Sequence, residues 1–312
     1  MRLSVVTTLY QSASYIEEFV RRVCAEAGKL TDDYEVIMVD DGSPDRSLEV
    51  ALNIQKQNKH LCIIELSRNF GHHKAMMTGL EHAKGDLVFL IDVDLEEPPE
   101  LLTLFHEEMR KGDWDVVYGI QRERKGGISK RLGGKLGWWL ITFMLPIHIP
   151  RNQSTVRLMT AQYVKELVRH KEHMTAIGGL WILTGFRQTG LLFERHCHHN
   201  STYSFLKRLR ALLDSVTSFS ERPLYGVFFL GLAVFIMSSI VALYLIARKI
   251  SGGILEGWVS VMVSVWGLGG LILLCIGLVG LYVSKIFIET KNRPYTIIRN
   301  IYSTNGEKKR LS

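Results

Sequence analysis

The sequence predicts an α/β domain with a mainly parallel sheet, followed by a hairpin of two membrane-spanning helices. Apolar, strand-like runs alternate with helix-like segments between residues 3 and 119, and polar clusters follow several of these runs. Two long segments in the last third of the chain carry no charge. With 312 residues, the chain is long enough for more than one structural unit.

The N-terminal part of the chain is predicted to contain five strands with helices between them. Residues 3–8 are predicted to form a buried strand, and Ser14 with Glu17 matches a capping box that opens an amphipathic helix ending near Gly28. Apolar strands separated by helices indicate a parallel sheet covered on both faces, whose ligands bind at the carboxyl ends of the strands. The later strands are predicted at residues 34–40, 61–66, 86–91 and 114–119, and the later helices at residues 45–58, 74–83 and 99–112.

Two segments are long and apolar enough to cross a membrane. Residues 224–247 comprise 24 residues without a charge, and residues 258–284 comprise 27 more. A helix needs about 20 such residues to cross a hydrocarbon core of ~30 Å. Buried helices of a soluble core rarely lack charge over this length. We therefore predict a transmembrane hairpin within residues 222–290.

The distribution of lysine and arginine predicts the orientation of this hairpin. The connecting loop holds only Arg248 and Lys249, offset in part by Glu256. Because cytoplasmic flanks carry an excess of basic residues, both termini are predicted in the cytoplasm, at the inner (cytoplasmic) membrane. The flanking cations are Lys207, Arg208, Arg210 and Arg222 before the first span, and Lys285, Lys291, Arg293 and Arg299 after the second.

Three further features agree with a cytoplasmic domain at a membrane surface. The apolar run at the N-terminus is too short for a signal peptide, and the four cysteines show no paired spacing, which fits a reducing compartment. Residues 122–147 combine basic residues with two tryptophans and predict contact with an anionic membrane surface. Nucleic acid is the weaker alternative partner beside two spans. The domain is predicted over residues 1–221, with an interfacial helix at 203–221 and a basic cytoplasmic tail at 291–312.

Polar side chains follow three of the predicted strands. Because the carboxyl ends of parallel strands meet at one edge of a sheet, we expect these clusters to share a site. The second cluster leads into a helix whose exposed N–H groups favour a phosphate. In chain order the clusters are Asp40 with Asp41, then Arg68, Asn69 and Lys74, then Asp92 with Asp94.

The third cluster, a D-x-D motif, predicts a divalent cation. Carboxylate oxygens of Asp92 and Asp94 suit Mg²⁺ or Mn²⁺, and such an ion holds the diphosphate of a nucleotide donor. Glu97 and Glu100 are interpreted as acids that offset a helix dipole. No G-x-G-x-x-G follows the first strand and no G-x-x-x-x-G-K-[ST] occurs, which argues against a dinucleotide-binding or P-loop enzyme.

Two histidine clusters have weaker interpretations. His72 and His73 are expected to be loop residues near the diphosphate and not a metal pair. The run of His196, Cys197, His198 and His199 offers soft donors, but adjacent residues cannot all face one ion. A membrane-proximal loop is the favoured interpretation of that run.

Taken together, these segments resemble family 2 glycosyltransferases of the polyprenyl-phosphate type, such as dolichol-phosphate mannose synthase and the bacterial polyisoprenyl-phosphate glucosyltransferases. The matching segments include V-D-D-G-S-P-D, R-N-F-G-H-H-K-A and L-I-D-V-D-L-E-E-P-P-E, and they extend from residue 3 to about residue 224. The resemblance implies a Rossmann-like GT-A fold and inverting transfer of a sugar from a nucleoside diphosphate to a polyprenyl phosphate, such as undecaprenyl phosphate. UDP is favoured over GDP as the carrier.

The resemblance also implies roles for individual residues. Arg157 matches an arginine near the phosphates and joins Asp92 and Asp94 as a catalytic group, while Glu96 stands beside them at the metal. The first strand end departs from the family pattern I-P-x-Y-N-E and keeps only the tyrosine. The residues assigned to the nucleotide sugar are Thr8, Tyr10, Asp40, Asp41, Arg68, Asn69 and Lys74.

The acceptor phosphate is expected to need cations more than a base. A phosphate monoester is already largely a dianion at pH 7, so positioning matters more than proton removal. The residues assigned to the acceptor are Arg122, Arg124, Arg131, Ser201 and Tyr203.

Two alternatives stay open. A processive polysaccharide synthase of the same fold would carry a Q-x-x-R-W segment and more spans, neither of which the sequence has. A membrane scaffolding subunit with an inactive domain is expected to lose a D-x-D aspartate, and both are present. Small residues in the two apolar segments are compatible with a homo-oligomer.

Overall fold

The first predicted strand lies in the middle of an eight-stranded sheet. Every residue of β1, Leu3–Leu9, is buried. It pairs in parallel with β2, Tyr34–Asp40, on one side and with β4, Leu87–Leu90, on the other. The computed structural model describes residues 1–122, 150, 152–170, 177–194, 222–251, 257–291 and 293–303.

Five more strands complete a mixed, mostly parallel sheet in the order β7-β5-β6-β4-β1-β2-β3-β8. Strand β6 is antiparallel to both β4 and β5, and β8 is antiparallel to β3. The other strands run in one direction, which is the GT-A-like α/β arrangement that the sequence predicts. These strands are β3, Leu61–Leu66; β5, Val116–Gln121; β6, Gln153–Thr160; β7, Gln188–Phe193; and β8, Ile298–Tyr302.

Helices cover both faces of this sheet, as expected for strands whose central residues are buried on both sides. One core cluster joins the sheet to α1, α2 and α4, and a second joins the opposite face to α3, α5 and α6. The helices are α1, Ile16–Leu30; α2, Ser47–Gln55; α3, His72–His82; α4, Leu101–Lys111; α5, Ala161–Leu167; and α6, Ile177–Leu183.

The predicted capping box at the start of α1 is not observed. The helix begins at Ile16 after Tyr15, and no side chain caps this end. The backbone N–H of Tyr15 instead donates to the carbonyl of Ser12, 2.9 Å away, in a tight turn that brings the chain into the helix. The turn places Ser14 one residue too early to act as the cap.

Two long helices follow the sheet at the positions of the predicted spans. Helix α7, Arg222–Ile250, has 29 residues and α8, Trp258–Thr290, has 33. Large apolar side chains project outward from both; Phe228 is 63% exposed and Leu273 is 72% exposed. Among the described residues, Gly267–Thr290 alone meets the length and hydropathy of a membrane span, while Arg222–Val234 is a shorter apolar helix. Crossing of a membrane by both helices stays a prediction.

The basic tail predicted at residues 291–312 is corrected in part, because its first half returns to the sheet. Strand β8 pairs with β3, with Ile298 opposite Leu66 and Tyr302 opposite Ile63. A single five-residue run of moderate β-propensity is hard to distinguish from an irregular tail by its sequence alone. It becomes a strand because the free edge of β3 provides a row of backbone hydrogen-bonding groups.

The sheet topology brings both connections to the long helices to one edge. Strand β7 runs parallel to β5, so the chain leaves the sheet after Phe193 at the carboxyl edge. Strand β8 enters the sheet beside Leu66, the last residue of β3, at that same edge. The chain also leaves β5 and re-enters β6 there, because Ile120 pairs with Gln153. Apart from Arg122, the predicted surface segment lies outside the described residues, as do the interfacial helix and the His196–His199 run.

Close packing of α3 on the sheet gives a stability prediction. A Cβ at Gly79 would lie 2.5 Å from the Cγ1 of Val6, whereas a Cβ at Gly28 of α1 meets no atom within 4 Å. Gly79→Ala is expected to lower stability by about 1–3 kcal/mol through overpacking. Gly28→Ala is expected to raise it by up to about 1 kcal/mol, because alanine loses less backbone entropy in a helix. Thermal unfolding of both variants in detergent checks the pair; equal shifts would contradict the packing argument.

Candidate active site

Asp41 joins the loop after β2 to the loop before α3. Its two carboxylate oxygens accept hydrogen bonds from the backbone N–H groups of Phe70 and Gly71, at 2.7 and 3.0 Å. The neighbouring Gly42 has a φ of +61°, and a Cβ there would lie 2.5 Å from the carbonyl carbon of Arg68. Because the two loops touch backbone to backbone, only glycine fits this position. Two of the predicted polar clusters therefore form one rigid unit.

Asp40 is a buried carboxylate at the end of β2. It is 2% exposed, and its Oδ1 has no hydrogen-bond partner in the described structure. Burial raises the pKa of Asp40 to about 6 against the lowering effect of a hydrogen bond from the backbone of Ser43, and Glu65 and Asp41 add to the rise. Burial also raises the pKa of Asp41, opposed by its bonds from Phe70 and Gly71. An unsatisfied acceptor at the carboxyl edge of a sheet suits a polar ligand that donates hydrogen bonds.

The D-x-D motif follows β4 and faces the start of α3. The Oδ1 of Asp92 lies 3.4 Å from the Nε2 of His72, whose Nδ1 lies 3.0 Å from the Oγ1 of Thr8. Asp94 accepts a hydrogen bond of 3.0 Å from the backbone N–H of Glu96, across Leu95 with its φ of +58°. The structure therefore brings the first strand end, α3 and the acidic loop together. The sequence predicted His72 and His73 as loop residues, whereas both lie in the first turn of α3. It also gave no sign of the contacts of His72 with Thr8 and Asp92.

The residues of the acidic loop fit a hard divalent cation that shares its ligands with a substrate. The side chain of Asp92 is 22% exposed, so its oxygens can reach an ion at the sheet edge. In the part of the chain that is described, no three His, Cys, Asp or Glu side chains gather around one point, and a metal contact of Glu96 stays a prediction. Mg²⁺ in nucleotide enzymes is commonly bound by one or two carboxylates, water and substrate phosphates. Asp92 and Asp94 match the protein share of such a site by residue type and position, and their binding of a metal stays a prediction.

Glu97 turns away from this edge into the protein. It is 1% exposed and accepts a hydrogen bond from the Ser154 hydroxyl of β6. This contact attaches the acidic loop to the neighbouring strand. The predicted role of Glu97 in offsetting a helix dipole stays a prediction, since its observed contact is with β6.

Arg157, predicted to lie near the phosphates, is fully buried on β6. Its guanidinium lies over the ring of Trp181, 3.0 Å from the centroid, and donates to the carbonyl oxygens of Ser154 and Thr155, both at 3.1 Å. Burial lowers the pKa of Arg157 to about 10, and Tyr163 and Glu97 offset part of this effect. Arg157 is therefore linked to the acidic loop through Ser154, which contacts both Arg157 and Glu97. A contact of Arg157 with phosphate stays a prediction.

The predicted cations and polar groups of the donor side lie around the same loops. Arg68 is exposed, and its guanidinium lies 4.2 Å from the ring centroid of Phe70. Tyr10 is 46% exposed, and Asn69 is exposed beside Arg68. Burial and Arg68 lower the pKa of Lys74, in the first turn of α3, while Glu289 of α8 acts in the opposite direction. The end of the second long helix therefore lies within electrostatic reach of this edge.

The predicted acceptor side is described only at Arg122. This residue follows β5 at the carboxyl edge, where its side chain is 70% exposed and pairs with Glu194 at 3.0 Å. Its backbone N–H bonds to the carbonyl of Phe193 at 3.2 Å. The other residues assigned to the acceptor lie outside the described part of the chain: Arg124, Arg131, Ser201 and Tyr203.

Comparison with known proteins gives similarities over nearly the whole chain. The family model described as glycosyl transferase family 2 matches residues 4–168. A protein of Mycobacterium tuberculosis described as a putative glycosyltransferase is 51% identical over 98% of this chain and 90% of its own length. An uncharacterized glycosyltransferase of Synechocystis is 32% identical over 97% of this chain and 96% of its own length. An Edwardsiella ictaluri protein named undecaprenyl-phosphate 4-deoxy-4-formamido-L-arabinose transferase is 28% identical over 97% and 95% of the two chains.

The raised pKa of Asp40 gives a prediction on stability and pH. Because the folded state binds a proton up to about pH 6 and the unfolded state only up to about 3.8, stability falls as pH rises through this window. Asp40→Asn removes this pH-dependent loss of folding stability. The loss amounts to at most about 3 kcal/mol at roughly 1.4 kcal/mol per pKa unit. The melting temperature of the variant in detergent should therefore rise relative to the unaltered chain between pH 4 and pH 7. The exposed Asp32→Asn serves as the control, and a difference that is the same at both pH values would refute the assignment.

Proposed function

This chain belongs to glycosyl transferase family 2, and from that premise we propose that it transfers a sugar from a nucleoside diphosphate, most simply UDP, to undecaprenyl phosphate at the cytoplasmic face of the inner membrane. The family and the enzyme class predicted from the sequence are confirmed by the family model and by the relatives named as glycosyltransferases. The product would be a lipid phosphate-linked sugar for modification of cell-envelope glycans. The name of the Edwardsiella relative supports a polyprenyl phosphate as acceptor.

The observation that carries the proposal is the shared edge of the sheet. Asp92 and Asp94 follow β4 at the carboxyl edge, and the chain leaves toward α7 and returns from α8 at that same edge. Both long helices present apolar side chains outward, and such surface is stable when lipid covers it. A site at this edge is favourably placed for a phosphate carried on a membrane lipid. A soluble acceptor would require no such arrangement.

Each residue assigned to the nucleotide sugar or the metal is proposed to bind a particular part of the donor. Asp40 and Asp41 are proposed to bind the nucleoside, and the first turn of α3 with Lys74 to bind the diphosphate, as helix N-termini and cations do. When bound by Asp92 and Asp94, a divalent cation (Mg²⁺ or Mn²⁺) neutralises the charge that develops on the departing diphosphate. His72 holds Asp92 in position through their contact at 3.4 Å, and Thr8 in turn holds His72 through a contact at 3.0 Å.

On the acceptor side, the phosphate is its own nucleophile. One oxygen of the dianion attacks the anomeric carbon of the sugar as the bond to the diphosphate breaks, so the configuration inverts in a single displacement. Because the phosphate is already deprotonated near pH 7, a general base is unnecessary. Arg122, Arg124 and Arg131 are proposed to hold it, with Ser201 and Tyr203.

The fold supports an even number of membrane crossings. Strands β7 and β8 belong to one sheet, so the chain on either side of α7 and α8 lies on the same side of any membrane. A single crossing would place β8 on the opposite side from β3, with which it pairs. We therefore propose that both helices cross, that residues 252–256 lie outside, and that both termini are cytoplasmic.

The experiment that tests the function is transfer of radiolabelled sugar to undecaprenyl phosphate in detergent, from a panel of UDP- and GDP-sugars, with Mn²⁺ or with EDTA. Metal-dependent label in the lipid fraction from one donor is expected. Folded protein that binds a nucleotide but labels no lipid would overturn the acceptor assignment, and protein that binds no nucleotide would favour a scaffolding role.

Loss of one D-x-D carboxylate is predicted to remove activity with little effect on folding. Asp94→Asn should lower the rate of transfer at least ~100-fold, since a metal contributes several kcal/mol and each 1.4 kcal/mol is tenfold. The matched control is Glu107→Gln, on the exposed face of α4, which should transfer normally. Turnover by Asp94→Asn within a few-fold of the control would refute the metal assignment.

Membrane orientation gives a separate prediction. A cysteine replacing Ser251, at the end of α7, should react with a membrane-impermeant maleimide in intact cells. A cysteine replacing Ser303, just beyond β8, should react only after lysis. The chain with its four native cysteines sets the background, and labelling of both positions in intact cells would contradict the hairpin.

A further inference from the structure

We propose that the return segment, residues 293–303, is a positioning element of the donor site, which holds the first turn of α3 and the loop after β3 in place. The assignment of that site to a nucleotide donor rests on the proposed function, whereas the docking of the segment does not. The segment lies between the second long helix and the C-terminal residues, far in sequence from the residues that it contacts.

The segment is fixed on β3 by a buried carboxylate. Glu65 is 7% exposed and accepts hydrogen bonds from the Nδ2 of Asn300 at 2.7 Å and the hydroxyl of Tyr302 at 2.8 Å. The guanidinium of Arg299 lies 3.2 Å from the other oxygen of Glu65. The carbonyl of Tyr302 accepts from the Nε2 of Gln55 on α2, at 2.7 Å. Three side chains of β8 thus satisfy one buried acid, which binds this strand specifically.

The contacts continue to the loop that carries the predicted donor residues. The backbone N–H of Ser67 donates to the carbonyl of Ile297 at 2.9 Å, and the guanidinium of Arg299 donates to the carbonyl of Ser67 at 3.2 Å. Ser67 directly precedes Arg68 and Asn69. The return segment therefore fixes the backbone from which these two side chains project.

A second set of contacts reaches the first turn of α3. The hydroxyl of Thr78 donates to the carbonyl of Lys74 at 2.9 Å, and it lies 2.8 Å from the hydroxyl of Thr296. Because a hydroxyl carries one proton, Thr296 must be the donor in the second bond. The ammonium of Lys74 lies 5.3 Å from the ring centroid of Tyr295, within the range of a cation–π contact. The return segment therefore restrains the backbone of Lys74 through Thr296 and Thr78, and its side chain through Tyr295.

These contacts have a functional consequence. A flexible lysine must lose side-chain entropy when it binds a phosphate, and a residue that restricts it beforehand reduces that loss. Tyr295 and Thr296 follow the second long helix by a few residues, so this restriction depends on the connection between the membrane segment and the sheet. Tyr295 and Thr296 are thus positioning residues, which act through Lys74 and the loop after β3.

Docking is tested by disulfide formation in the full chain. The pair Thr78→Cys and Thr296→Cys, oxidised in membranes, should form a cross-link within one chain, detected as a linked peptide after digestion. Each single variant is a matched control and should give none. Absence of the cross-link, or a dimer in its place, would overturn the docking of this segment on its own chain. The result is independent of donor, acceptor and activity.

Positioning is tested by nucleotide binding, with Mn²⁺ and whichever of UDP and GDP the unaltered protein binds. Tyr295→Leu should weaken binding about five- to tenfold, and Tyr295→Phe, which keeps the ring, should restore it. Ile297→Thr is the control, because the Ile297 side chain is 51% exposed while its backbone makes the bond to Ser67. In transfer, Tyr295→Leu should raise the donor KM more than it lowers kcat. Equal binding by the Leu and Phe variants would refute the positioning role, and a cross-link with no nucleotide binding at all would count against the donor site itself.

Discussion

The burial of β1 on every residue is the constraint on which the rest of the molecule depends. A strand with no solvent-facing side must lie at the centre of a sheet that is covered on both faces, and parallel neighbours bring their carboxyl ends to its own. Asp40, Asp41 and the D-x-D pair lie at one edge of the sheet for that reason. The buried strand of seven residues near the N-terminus thus determines which edge of the sheet carries the candidate site.

The edge that carries the predicted catalytic residues also carries both connections to the long helices, which supports the proposed attachment to the membrane at this edge. The chain leaves toward the long helices beyond Phe193 on β7 and returns before Ile298 on β8, the two outermost strands, and both points lie at the carboxyl edge that carries the acidic residues. The site also lowers the stability of the fold. Asp40 is buried with one oxygen unsatisfied, and like charges lie close to it, which a purely structural sheet would avoid. Such a group is retained when a ligand uses it, and a nucleoside that donates to Asp40 would offset the cost.

The strands and helices of the first half were predictable because each has a clear period or an unbroken apolar run, and the D-x-D pair was placed correctly by its position after β4. Strand β8 could not be predicted in this way, because its five residues form a strand only by pairing with β3, some 230 positions earlier. The same holds for the contact of His72 with Asp92 and for the burial of Arg157 against Trp181. Local sequence reports local structure well, whereas contacts between distant elements depend on how the sheet is assembled.

The central claim is that the carboxyl edge of the sheet faces the membrane. It is tested most directly by spin labels at two exposed positions, Ser14→Cys at the carboxyl edge and Asp32→Cys at the opposite edge, separated by about 23 Å for a seven-residue strand at ~3.3 Å per residue. In liposomes that contain nickel-chelating lipids, relaxation of the label at position 14 should be strongly enhanced and that at position 32 little affected. Equal enhancement, or the reverse order, would contradict the account, because the acidic residues would then lie away from the lipid.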